Sequence, residues 1–245
     1  PLRSILSKMT PLLLELRRKL RAVADPARAA GAQAYMKSAM PFLGVGAVPL
    51  RTVCRAAFRG IAFPSDAAWR DAVLALWRGA AFREERYAAI ELSGIKAADA
   101  WQTMRALPMY EEMIVDGAWW DLVDVLASHR LGLILRNEPK PMRRAMLAWS
   151  RDANLWKRRA SILCQLRFKD ETDLELLYAC IEPSLESKEF FLRKGIGWAL
   201  RSYAWTDPGE IARYVKANQG RMAGLTKREA LKNVSKEKCK MQNAK

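Results

Sequence analysis

The chain has 245 residues, 51% of them hydrophobic, enough to bury a core in one or two domains. Its 42 Lys and Arg against 26 Asp and Glu leave a formal charge of +16, which implies a polyanionic partner, nucleic acid before an anionic membrane surface. One histidine and four cysteines with no CxxC pair leave almost no ligand supply for a zinc site and no disulfide framework, and no apolar run reaches a membrane span.

The elements read as helices in chain order. "PLRSILSKMTPLLLELRRKL" is amphipathic and broken by charge, so residues 1–24 are expected to form an N-terminal amphipathic helix, not a secretory signal. Thr10 with Pro11, and Asp25 with Pro26, each place a capping side chain before a proline at the first helical position. Further starts are expected at Pro49, Ser65, Ser150/Asp152 and Asp207/Pro208, and at Thr226, where Glu229 would complete a capping box. Alternating β-branched strands and Asn-Gly hairpins are lacking, so the fold class is all-α. "GVGAVP" at 44–49 follows no strand, which excludes a dinucleotide or P-loop site. Reduced cysteines fit a cytoplasmic protein. Both ends are rich in bases, and residues 235–245 are expected to be a disordered basic tail.

Four helical segments repeat: "RYAAIEL" from Arg86, "LVDVLAS" from Leu122, "RRASILCQL" from Arg158 and "RKGIGWAL" from Arg193, their starts 36, 36 and 35 residues apart. Each follows another helical stretch. That period predicts an α-solenoid of HEAT-like helix pairs over residues 1–234, curved, with equivalent helices side by side on a basic concave face.

On a helix over 119–128, Trp119, Leu122, Val123 and Leu126 make a core stripe, with Asp121 turned toward solvent. Trp120 and Asp124 fall one turn apart on a neighbouring face, where an indole beside a carboxylate suits a cation or a centre developing positive charge. The bland alternative is a half-covered rim tryptophan and a solvated acid. In the same row of repeats, Arg159 offers a bidentate phosphate clamp beside Arg158, and Trp198 follows two glycines that admit a neighbouring backbone.

At these residues the chain resembles a known family, the HEAT-like-repeat DNA glycosylases of the alkylpurine glycosylase D (AlkD) type. The matching stretches are "YMKSAMPFLGV" from Tyr35, "WWDLVDVL" from Trp119, "NLWKRRASILCQLRFK" from Asn154, "SKEFFLRKGIGWALRSYAWTDP" from Ser187 and "LTKREALK" from Leu225. The resemblance implies a monofunctional enzyme that hydrolyses the N-glycosidic bond of cationic N3- and N7-alkylated purines in duplex DNA. These include 3-methyladenine, 7-methylguanine and, by extension, bulky adducts, engaged without base flipping.

Carried over position by position, it puts the catalytic carboxylate on Asp124 and its flanking aromatics on Trp120 and Trp198. It puts a phosphate-contacting arginine on Arg159 and a DNA-contacting tyrosine on Tyr35. Lys157 and Arg158 make that helix more basic than the family pattern and are added as DNA contacts. No cofactor, metal, membrane or obligate protein partner is expected, and the protein is expected to be a cytoplasmic, nucleoid-associated monomer of bacterial type. The competing readings are a non-catalytic HEAT-repeat protein for damaged or branched DNA and a protein–protein scaffold.

Overall fold

The computed structural model describes the backbone of residues 2–242 and the side chains of residues 11–234. Among the described residues there is no strand, and the chain is all-α. Its contacts group into two compact units, Pro1–Gln102 and Thr103–Lys245.

The first unit holds α1 (Leu2–Ala22), α2 (Pro26–Met36), α3 (Ala47–Ala57), α4 (Asp66–Arg78) and α5 (Arg83–Leu92). α1 passes straight through Pro11, so the start expected at Thr10 is not a start. Two other local signals in this unit work. Asp25 accepts from the backbone N–H groups of Ala27 and Arg28, and Ser65 accepts from that of Ala68, each satisfying donors a helix leaves open. α3 begins two residues before Pro49.

α4 packs on α1 and α5, and Trp69, Val73, Leu76 and Trp77 of α4, Leu16 and Leu20 of α1, and Ala88 and Leu92 of α5 are all within 1% of full burial. The segment between α2 and α3 is tied to α5. The buried Glu84 carboxylate accepts from the N–H of Leu43 at 2.9 Å and of Val45 at 3.1 Å, which satisfies the charge with fixed donors. Gly44 sits there at φ +78°, where a Cβ would come within 2.0 Å of the Asp25 carbonyl oxygen; no other residue fits.

The second unit holds α6 (Leu107–Gly117), α7 (Trp120–Val125), α8 (Gly132–Asn137), α9 (Pro139–Trp149), α10 (Leu155–Leu163), α11 (Leu174–Ile181), α12 (Phe190–Tyr203), α13 (Pro208–Ala217) and α14 (Gly224–Gln242). The repeat segments at Leu122, Arg158 and Arg193 fall on α7, α10 and α12, and these pack one on the next, with α14 following α12. α9, α11 and α13 form the companion layer, so this unit is a stack of helix pairs, as the period predicts. The repeat segment at Arg86 falls on α5 of the first unit.

Two further boundaries differ from expectation. α10 is capped by Asn154, whose side chain accepts from Trp156 and Lys157 N–H; Ser150 instead closes α9, and the Asp152 carboxylate accepts from the Asn154 N–H. α14 starts at Gly224, so Thr226 lies inside it, with its hydroxyl buried and unpartnered, and Glu229 faces cations, not the helix start. Tertiary packing overrides the capping box there. The tail expected at 235–245 lies outside the described side chains, although the backbone of α14 reaches Gln242.

Cys54, Cys164 and Cys180 are each 1% exposed and unpaired. Burial pushes the Cys54 and Cys180 thiols up to about 12 and the Cys164 thiol well above its ordinary value. No helix of the described residues is long and apolar enough to cross a membrane.

Candidate active site

Asp124 stands on α7, whose N-cap is Trp119 with an extended backbone; the helix therefore begins one residue later than expected. Trp119 is not a core-stripe residue but a half-buried one. Its ring lies 6.0 Å from that of Trp156 and 5.2 Å from that of Phe191, and the latter two are 5.0 Å apart. This aromatic cluster joins the starts of α7, α10 and α12, and such pairs add directional attraction to the area they bury. Leu122, Val123 and Leu126 supply the core contact. Asp121 is half-buried, not turned fully to solvent.

Beyond Val125 the helix does not continue as α. Leu126–Leu131 form a π-helix, and α8 follows without a break. The Ser128 hydroxyl donates to the Asp124 carbonyl at 2.6 Å as the π segment begins. Gly132 closes it against α10, since a Cβ there would come within 2.8 Å of the Cys164 carbonyl oxygen. π segments of this kind are concentrated at functional sites.

Asp124 is buried, 8% exposed as a residue, and its carboxylate is held by Arg159 of α10, 4% exposed as a residue. Arg159 Nε donates to Oδ1 at 2.7 Å and Nη2 to Oδ2 at 2.8 Å, a bidentate fork; Nη1 donates to the Phe191 carbonyl of α12. Burial raises the pKa of Asp124 above the ordinary carboxylate value. The hydrogen bonds and charge of Arg159 pull it back down, and the neighbouring Asp121 charge adds to the rise. Arg159, expected as a free phosphate clamp, is thus engaged with the carboxylate.

Trp120 stands one turn before Asp124 on α7, and Trp198 stands one turn after Gly195 on α12, the residue against which the Arg159 side chain packs. Both indoles are half-buried, neither sealed in the core nor fully open. The other basic residues turn elsewhere. Lys157 Nζ lies 2.6 Å from both Glu111 and Asp152 and over the Trp149 ring, so its charge is matched inside the protein, contrary to a free DNA contact. Arg158 donates from Nε and Nη2 to the Ser184 hydroxyl, a neutral partner. Tyr35 belongs to the first unit and is 75% exposed at the end of α2.

The sequence reading missed the coupling of Asp124 to Arg159 and the part of Phe191. The repeat register holds the signal for the first: Asp124 is third in its segment and Arg159 second in the next, so adjacent helices carry them at nearly the same height. A backbone acceptor such as the Phe191 carbonyl has no sequence signature.

The model of a family described as DNA alkylation repair enzyme matches residues 16–234. The chain belongs to the DNA alkylation repair enzyme family. The match spans the whole of this site and reaches back into α1, beyond the stretches that carry the resemblance. Among solved structures, the fold of this family member is similar to one described as a predicted DNA alkylation repair enzyme from Enterococcus faecalis. The two share 25% identity at a TM-score of 0.76, over 85% of this chain and 95% of that chain. Among curated proteins none matches. Family membership supports a DNA repair role with DNA as substrate.

Proposed function

We propose that this protein is a monofunctional DNA glycosylase that hydrolyses the N-glycosidic bond of cationic N3- and N7-alkylated purines in duplex DNA. The observation that carries the reading is the Asp124 carboxylate, buried yet held in bidentate form by Arg159, one helical turn from the Trp120 indole.

Alkylation at N3 or N7 already makes the purine a cationic leaving group, so the protein need not protonate it. The costly event is the positive charge that grows on the deoxyribose as the C1′–N bond lengthens. A fixed carboxylate and indole faces attract that charge more as it develops, which lowers the barrier without tightening ground-state binding to the same degree. In this reading the carboxylate oxygens of Asp124 also accept from the attacking water and take its proton, and Trp120 and Trp198 flank the sugar. Arg159 is assigned first to holding the carboxylate. Tyr35 and Arg158 are assigned to the DNA backbone, and Lys157 to the fold.

Discrimination would rest on the charge and labile bond of the lesion, with no flipped-base pocket required, and bulky cationic adducts would be accepted on the same ground. A monomer acting on the nucleoid in the cytoplasm belongs to the same proposal. The test is release of 3-methyladenine and 7-methylguanine from methylated duplex DNA. Wild type is expected to release both, and Asp124→Asn to be slower by at least roughly 10²-fold. Equal rates remove Asp124 from the mechanism, and binding without release by the wild type favours a non-catalytic damage-binding protein.

A further inference from the structure

α12 meets the active site through two features one turn apart, the Phe191 carbonyl and the bare Cα of Gly195. The carbonyl accepts from Arg159 Nη1. A Cβ at Gly195 would stand 3.0 Å from that same Nη1, 3.7 Å from Cγ and 3.8 Å from Cζ of Arg159. A free arginine would swing aside from such a methyl group. This one is pinned at three nitrogens, by Asp124 Oδ1, Asp124 Oδ2 and the Phe191 carbonyl, so it can yield only by loosening one of them. Gly197, two residues on, faces another way: a Cβ there would meet the Glu229 side chain at 2.5 Å and the Thr226 carbonyl at 3.1 Å, both on α14. The two glycines of "KGIGW" therefore serve separate purposes, Gly197 for close helix packing and Gly195 for the passage of a side chain.

We infer that Gly195 is a positioning residue for the reaction proposed above: its missing side chain lets Arg159 cross the face of α12 and hold the Asp124 carboxylate in one orientation. The effect is indirect, because Gly195 reaches the reacting atoms only through Arg159. A side-chain clamp that is fixed from two helices leaves little slack, and displacements near 1 Å at such a clamp are enough to slow a reaction strongly. Alanine is a better helix former than glycine, so the substituted helix has no local reason to unfold.

The experiment compares wild type, Gly195→Ala and Gly197→Ala in two measurements. The first is base release from methylated duplex DNA. The second, which needs no activity, is the 1H–15N resonance of the Arg159 Nε–H, assigned by its loss in Arg159→Lys. Gly195→Ala is expected to slow release about 10- to 100-fold, the scale of a misplaced catalytic group, and to move or broaden the Nε–H resonance. Gly197→Ala is expected to lower the melting temperature and leave that resonance in place. A resonance unmoved by Gly195→Ala, release unchanged by it, or the same displacement from Gly197→Ala overturns the inference. If the wild type releases no alkylated base while Gly195→Ala still displaces the resonance, the positioning of Arg159 stands and the proposed reaction falls.

Discussion

Arg159 contacts both oxygens of Asp124, from α10 to α7, at 2.7 and 2.8 Å, with side-chain exposures of 5% and 11% for the arginine and the aspartate. Two opposite charges removed from water in this way depend on each other, and taking one away leaves the other unpaid for its lost hydration.

Arg159→Ala is accordingly expected to destabilise the fold by about 3 kcal/mol, the low end for breaking a buried pair, measured by urea unfolding. The deficit also has a pH sign. Without Arg159, nothing offsets the burial that raises the Asp124 pKa, so the folded state keeps a proton that the unfolded chain releases. Stability then falls as pH rises from the ordinary aspartate value through the raised one, and the deficit against wild type grows over that window. Asp124→Asn in the same background is expected to remove the pH-dependent part; a deficit that stays constant with pH would contradict the assignment.

Glu229 on α14 gathers three cations, Lys194 at 2.9 Å, Arg201 at 2.6 Å and Lys232 at 2.7 Å. Hydrogen bonds from Lys194 and Lys232 hold its pKa down to about 2 from an ordinary 4.5. The folded state thus binds its proton more weakly than the unfolded chain, and the contribution is complete above about 4.5 and lost as pH falls toward about 2. Glu229→Gln is expected to cost about 2 kcal/mol at neutral pH, discounted for the half-exposed partners, and progressively less across that interval. Chemical denaturation at pH 7 and pH 3 checks it.

His129, the only histidine in the chain, lies in the π-helix with its Nε2 3.4 Å from Arg167 Nη1. Burial, then the charges of Arg167 and Arg130, lower its pKa from 6.5 to about 4. Between those values the unfolded chain is protonated and the folded one is not, so stability drops as pH falls from 6.5 to about 4. NMR should show a single imidazole titrating near 4, and His129→Gln should flatten the stability profile over that interval. An imidazole titrating at 6.5 would refute both.

Gly132→Ala would set a methyl group 2.8 Å from the Cys164 carbonyl, a backbone atom that cannot rotate away. Overpacking is expected to outweigh the better helix propensity of alanine, for a net loss of about 1–2 kcal/mol by thermal unfolding. Since Gly132 closes the π segment that follows Asp124, base release should fall as well.

Much of this was legible in the sequence where the cause is local. Asp25, Ser65 and Asp207 cap their helices because the side chain that does the work sits within three residues of its target. Thr226 does not, because α14 starts earlier and its first turns are pressed against Gly197 of α12. The register of the repeats put Asp124, Arg159 and Trp198 on three helices that do pack in sequence. It could not say that Arg159 would turn to Asp124, that Lys157 would be matched by Glu111 and Asp152, or that the helix would widen at Leu126. Those outcomes depend on which partners arrive from distant segments.

The buried thiols bear on survival under chemical attack. A methylating electrophile reacts with a sulfur anion far faster than with the neutral thiol, and at neutral pH Cys54, Cys164 and Cys180 are shut away and hold their protons. A repair protein must work while the agents that scar the genome are still present. Among the described residues, its sulfhydryls give those agents no easy target.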